Sequence, residues 1–391
     1  MAAFVRLESE GADMGDKRSI RGKWIFSGES LEVEIEDGFV ASVSEAAPNE
    51  AWLSPGFFDL QLNGYGGIDY SSDFTTGDLE ALAANLASRG TTRHLPTVIT
   101  NPEDRIVRSL KGIAAARKAS PRVAEAVPGV HVEGPFISGS EGARGVHDPS
   151  HIRPADYEEF LRWQDAAEGL IRIVTLSPED DRSLDFIRKI VAGGVTAAIG
   201  HTFADPGMIG RAVDAGARLS THLGNGCPAL IPRLENLLWS QLGDDRLSAS
   251  IIADGMHLPP EVLRCFTRSK GLERTILISD AAALAGSEPG LYKWGNMDIE
   301  INESGRMNLH GTSNLAGAAF LLDTCVPALN RAAGIPLRDC VKMAAVNPGR
   351  LLALAETEEP PKAGDRVNLI SFRMRQDGMD VEHTAHGIYH A

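Results

Sequence analysis

Cysteine is scarce in this sequence and never paired locally. Cys227, Cys265, Cys325 and Cys340 form no C-x-x-C motif, which leaves no thiolate zinc site or dithiol redox centre to read. Reduced thiols in a cytoplasmic protein are the expectation. Long apolar runs are absent as well, so no stretch is long enough to span a bilayer. Near the N-terminus, Glu8 and Glu10 stand where a signal peptide needs an apolar core. Positive charge is in deficit: 38 Lys and Arg face 53 Asp and Glu, a formal net charge of -15. That balance excludes nucleic acid or an anionic membrane as a general partner, yet leaves a small anionic substrate open, because local charge can oppose the global sign. There is no repeat of fixed period and no low-complexity segment.

The hydrophobic (43%) and charged (23%) fractions are those of an ordinary globular chain, and 391 residues suffice for one large core or one large and one small. Residues 1 to about 17 are polar and expected to be loosely ordered. Leu31, Val33 and Ile35 then alternate with glutamates, Asp37-Gly38 turns, and the chain returns through Phe39 to Val43, the pattern of a β-hairpin. After Ser54-Pro55-Gly56 the pattern becomes strand, helix, strand. Candidate strands are 57–62, 94–100, 126–133, 171–176, 196–201, 218–222, 248–253 and 275–280, with helices such as 79–88, 106–118, 183–192, 205–217 and 260–269 between them. This fits an α/β chain folded as a (β/α)8 barrel over residues 56–356, with a doubly wound open sheet as the alternative. Polar residues at many strand ends favour closure. Residues 297–309 read as an inserted hairpin, followed by helices over 316–331 and 337–345 and a further short helix. A strand at 367–372 is expected to pair with the N-terminal hairpin, so that residues 1–55 and 357–391 form a small β-sandwich domain.

Chemistry concentrates at the ends of the candidate strands, where α/β folds build their sites. His131 and Glu133 alternate onto one side of the third strand. His201, His222 and Asp280 end the fifth, sixth and eighth. One carboxylate and two imidazoles with an open position suit catalytic zinc or a similar divalent metal, with Asp280 as general base over the water. Each residue also has a purely structural role available. Glu133 could pair a buried arginine, Asp280 could cap a following helix, and His131 could be structural or orient a ligand.

The segments His131-Val-Glu-Gly-Pro135, Gly145-Val-His-Asp148, Gly200-His-Thr202, Thr221-His-Leu-Gly-Asn225, Ala253-Asp-Gly-Met-His257 and Ser279-Asp-Ala281 together resemble the N-acetylglucosamine-6-phosphate deacetylase family of the amidohydrolase superfamily. The resemblance covers essentially the whole chain. It implies that Glu133, His201 and His222 are the metal ligands, Asp280 the acid/base, and His147, beside Val146, a histidine at the scissile acetyl carbonyl. It further implies that Asn225 and Gly226 meet the sugar phosphate, and that Asp254 and His257, of one motif, bind substrate. Arg233 would reach the phosphate across a homodimer interface, and Leu315, Ala316 and Gly317 would line the acetyl side. The implied substrate is a phosphorylated amino sugar, with the galactosamine epimer, another amide or a cyclic imide as alternatives.

Several positions depart from the pattern. Many amidohydrolases carry His-x-His at the end of the first strand. Here Gln61 and Asn63 are neutral amides and poor ligands, so one divalent ion per subunit is expected, most simply zinc, with iron, cobalt or manganese also compatible. Gly224, Cys227 and the run Ala281–Leu284 also differ from the usual residues and bear on which sugar is taken.

Overall fold

The computed structural model describes residues 17–294, 297–312, 314–354, 357–376, 378–387 and 389–390. The expectation for the first 17 residues therefore falls, but for Lys17, outside the described residues. Eight strands, β1 (Phe57–Leu62), β2 (Thr91–Ile99), β3 (Val130–Glu133), β4 (Ile171–Leu176), β5 (Thr196–Ile199), β6 (Leu219–Ser220), β7 (Ser248–Ile252) and β8 (Thr275–Ile278), form one parallel sheet in chain order. They are buried on both faces, as the short apolar runs require. The sheet closes on itself. Leu62 bridges Ala281 in parallel, Asp280 N–H donates to the Gln61 carbonyl at 3.0 Å, and Asn63 N–H donates to the Ala281 carbonyl at 2.9 Å. These contacts decide for the barrel over the open sheet. Phe58, Leu60, Leu95, Ile173, Leu219, Ile252 and Ile276 share one buried cluster contributed by six barrel strands.

Helices follow the strands, and several start on side-chain caps. Asp180 accepts from Ser183 N–H to open Asp181–Ala192, and Asp205 accepts from Met208 N–H to open Pro206–Asp214, with proline in the first turn. No helix among the described residues is long and apolar enough to cross a membrane.

Four local expectations are corrected. Residues 126–129 are not strand: Ser120 caps a helix Pro121–Ala126, and β3 begins at Val130. The helix expected from Ala316 begins at Leu322, because Gly317 turns at φ +81° and Ala318 N–H is taken by the Asp280 carbonyl at 3.2 Å. The helix expected to end at Ala345 runs on through Pro348 as Leu337–Leu351. Asn347 pins it by donating to the Leu272 and Thr275 carbonyls. Finally, β5, β6 and β8 stop two residues short of His201, His222 and Asp280.

The chain ends build a seven-stranded sheet beside the barrel. The hairpin Ser30–Glu36 and Phe39–Glu45 turns at Asp37 (φ +52°) and Gly38 (φ +78°), the left-handed pair that a tight hairpin needs. The C-terminal strand Asn368–Met374 does not ladder with that hairpin. It pairs antiparallel with Trp52–Pro55, which pairs in parallel with Arg18–Trp24, itself the hairpin's neighbour. The sheet curls until Phe39 bridges Arg366, enclosing Trp24, Val33, Leu53, Val367 and Leu369. The inserted hairpin is three strands, Gly290–Trp294, Met297–Ile301 and Met307–Leu309, tied to the barrel by Trp294 Nε1 donating to Asp69.

Candidate metal centre and substrate site

His201, His222 and Asp280 have positive φ of 48°, 30° and 52°. Non-glycine residues rarely adopt that region, and it costs about 1–3 kcal/mol each. Each reversal ends its strand and swings the side chain over the barrel mouth. Glu133 needs no such device, because it is the last residue of β3 and points inward.

The three expected ligands converge. His222 Nε2 lies 3.0 Å from Glu133 Oε1 and 3.0 Å from His201 Nε2, and His201 Nε2 lies 3.3 Å from the same carboxylate oxygen. Ligand atoms on a tetrahedral cation with bonds of about 2.0–2.2 Å sit about 3.2–3.6 Å apart; one side of the triangle falls in that range and the other two are slightly shorter, so a small outward shift would seat a cation. His201 Nδ1 donates to the Ala143 carbonyl at 2.8 Å, which fixes its tautomer and leaves the Nε2 lone pair facing inward. His147 also belongs to the buried cluster, within reach of Glu133 and His201. Its Nδ1 is held by Thr100 Oγ1 at 2.7 Å, leaving Nε2 towards the mouth. Glu133, His201 and His222 make the tighter triangle, and His147 stands beside it in a group with Glu133 and His201. Burial disfavours a charged Glu133, but hydrogen bonds and charge from His201 and His222 outweigh it and hold the carboxyl well below the usual range. Burial lowers His147 to about 3, so it is neutral at physiological pH. A divalent cation fits these residues.

Asp280 caps no helix. Gln61 Nε2 at 3.0 Å and Asn63 Nδ2 at 2.7 Å both donate to its Oδ1, and Gln61 also donates to Glu133 Oε1 at 2.9 Å. Gln61 thus bridges the two carboxylates as a donor, and Asn63 adds a second bond to Asp280. Burial and then the negative charge of Glu133 raise Asp280 to about 6. Glu133 pairs the histidines and no arginine. His131 lies a layer deeper, spanning the Leu60 carbonyl at 3.1 Å and Thr175 Oγ1 at 2.7 Å, and hydrogen-bonds none of the three ligands.

The expected substrate residues divide. The Asp254 carboxylate accepts from Met256 N–H, His257 N–H and His257 Nδ1, which orients His257 and leaves that ring's Nε2 available. Asn225 folds its amide back onto the His222 carbonyl at 3.1 Å. Gly226, at φ +56°, lies so close to His201 that a Cβ would stand 2.7 Å from Nδ1. Val146 packs on the inserted sheet's cluster with Ala316, and Leu315 bridges Asn308 of that sheet. Gly317 lies against Ala282, just past Asp280. Arg233 is not brought in: it is exposed on the 224–236 loop, beside the exposed Leu230 and Leu234. Sequence reading passed over Thr100, the last β2-side residue before the loop, and gave Asp59 no role. The one available signal was the alternation of Asp59 with Gln61 and Asn63 on β1.

No family model matches the chain. It is 30% identical over 353 residues to the N-acetylglucosamine-6-phosphate deacetylase of Bacillus subtilis, a match spanning 86% of this chain and 87% of that protein. It is 29% identical over 357 residues, 86% of this chain and 85% of the relative, to the N-acetylgalactosamine-6-phosphate deacetylase of a Shewanella strain. Among solved structures, a mutant N-acetyl-D-glucosamine-6-phosphate deacetylase from Mycobacterium smegmatis in complex with N-acetyl-D-glucosamine-6-phosphate superposes with a TM-score of 0.84 at 29% identity, covering 96% of this chain and 99% of that one. Barrel and end-built sheet are therefore shared, and the chain is a hydrolase of the amidohydrolase class. Identity sustained along most of both sequences narrows the class: the chain belongs to the N-acetylglucosamine-6-phosphate deacetylase family.

Proposed function

We propose that the chain hydrolyses the N-acetyl group of N-acetyl-D-glucosamine 6-phosphate, giving glucosamine 6-phosphate and acetate. The observation that carries this reading is the asymmetry of Asp280. Its Oδ1 is occupied by Gln61 and Asn63, so Oδ2 is left to exchange a proton beside the Glu133–His201–His222 triangle. A divalent cation on that triangle supplies Lewis acidity, lowering the pKa of water and polarising the amide carbonyl. Asp280 Oδ2 removes the proton from the attacking water and delivers it to the departing amine, a poor leaving group unless protonated. Neutral His147, steadied by Thr100, offers Nε2 to the oxygen on which charge develops. His257, aimed by Asp254, faces the sugar.

Gln61 and Asn63 support a single cation per subunit, because Gln61 donates to both carboxylates and Asn63 to Asp280, in the space a second cation would use. The donor set suits zinc and also accepts iron, cobalt or manganese. Arg233 serves the phosphate from a partner subunit. Its exposure, with Leu230 89% and Leu234 75% exposed beside it, supports a homodimer built on this loop. The working compartment is the cytoplasm.

The test compares acetate release from N-acetylglucosamine 6-phosphate, its galactosamine epimer and the unphosphorylated sugar. Turnover of the first well above both others is expected. Preference for the epimer, a reading favoured by the Shewanella relative, or indifference to the phosphate would overturn it. Replacing Arg233 with alanine should raise KM for the phosphorylated sugar about 10–100-fold, the worth of hydrogen bonds to a charged group, and leave the slow rate on the unphosphorylated sugar unchanged. Mixing Arg233→Ala with Asp280→Asn subunits should restore activity, since each mixed dimer regains one complete site.

A further inference from the structure

Asp280 is held in a left-handed backbone conformation, uncommon for a non-glycine residue, and the restraint has a visible origin. Asp59 is wholly buried on β1, and no cation among the described residues pairs with it. Its Oδ1 accepts from Gln61 N–H and Ser279 N–H, each at 3.2 Å, and Oδ2 lies 3.3 Å from the same Ser279 nitrogen. The Ser279 hydroxyl in turn accepts from Ala281 N–H at 3.1 Å. The bonds therefore grip the residues on both sides of Asp280, while its own N–H is fixed on the Gln61 carbonyl. They lie at the seam where β1 meets the end of β8, where no continuous ladder is formed. The same carboxylate steadies the backbone of Gln61, whose side chain holds Asp280 Oδ1.

We infer that Asp59 and Ser279 form a clasp across the barrel seam that positions Asp280 for proton transfer, making Asp59 a positioning residue of the reaction. This rests on the reading of Asp280 as the proton carrier. An Asp59→Asn side chain turns an N–H₂ towards Ser279 N–H, donor against donor, and loosens the grip on one side. Ser279→Ala removes only the hydroxyl link.

Kinetics and metal content should be measured on the metal-loaded Asp59→Asn, Ser279→Ala and Asp280→Asn proteins and on the Asp59→Asn/Asp280→Asn double variant. The expected result is a fall in kcat of about 100-fold for Asp59→Asn, the scale of a misplaced catalytic group. A smaller fall is expected for Ser279→Ala, with KM and metal content unchanged in both. In the Asp280→Asn background, Asp59→Asn should cost nothing further, because the group it positions is already gone. An added loss in the double variant, or a loss that follows metal content, overturns the inference in favour of a general structural role. So does wild-type kcat in Asp59→Asn and Ser279→Ala beside an inactive Asp280→Asn, and in that case Asp280 keeps its role. Full turnover by Asp280→Asn would instead remove the proton-carrier reading itself. If Asp59→Asn fails to fold, Ser279→Ala and its double variant with Asp280→Asn decide the question.

Discussion

Asp280→Asn is expected to retain its metal and to lose turnover by about 10³–10⁴-fold, towards the upper end of what a general acid–base contributes. Asparagine keeps the size of the side chain and an oxygen for Gln61 and Asn63 to bond, so the mouth of the barrel should stay intact. It cannot take a proton from water or return one to the amine. Because Asp280 is not one of the three ligand atoms in the Glu133–His201–His222 triangle, metal content should hold at the wild-type value. The same residue sets an acid limb. Burial and the charge of Glu133 raise its carboxyl to about 6, and the protonated form is inactive as a base. Activity should therefore rise with pH through the acid limb and fall about tenfold per unit below it. A bound cation opposes the charge of Glu133, so the midpoint of kcat/KM belongs at or below about pH 6. Profiles of wild type and Asp280→Asn check both points; a midpoint above neutrality, or an unchanged limb in the variant, contradicts them.

Glu133→Gln should be as damaging to activity by a different route. Glu133 Oε1 is the only anionic atom in the triangle, meeting both imidazoles and Gln61. A neutral amide there removes the charge that favours a divalent cation and places a donor against His201 or His222. Loss of an outer partner of a ligand already costs about 10–100-fold in affinity, so removal of the anionic ligand itself should exceed that. The protein should be purified nearly metal-free and inactive, with activity returning only at high added metal. Elemental analysis and a metal titration check this. Full metal content with normal turnover would contradict the assignment of the ligands.

The legible part of the molecule was what local pattern controls. Alternation put Glu133 inward beside His131, and apolar runs punctuated by glycine marked the eight strands, though β3 starts later than its apolar run suggests because proline and a serine cap turn residues 121–126 into helix. His201, His222 and Asp280 could be placed near strand ends, yet their left-handed backbones could not be foreseen. Histidine and aspartate enter the left-handed region more readily than most residues, but no local pattern says which of them does so here, and tertiary bonds sustain it. The same limit hid the Asp59–Ser279 contact, which joins residues 220 positions apart, and the Thr100–His147 bond across 47. Asp254, expected at the substrate with His257, also orients that ring through its carboxylate, a contact the motif alone did not disclose. The continuous helix 337–351 was obscured by Pro348, whose usual effect is overridden by burial and by Asn347 pinning the helix to the foot of β8.

The decisive measurement is acetate release from N-acetylglucosamine 6-phosphate by metal-stripped protein as zinc is added in known equivalents. Activity should be absent at the start, rise in proportion to metal and break at about one equivalent per chain, as a single three-ligand site requires. A break at two equivalents, or release that is full before any metal is added, would contradict the one-cation hydrolytic centre formed by Glu133, His201 and His222.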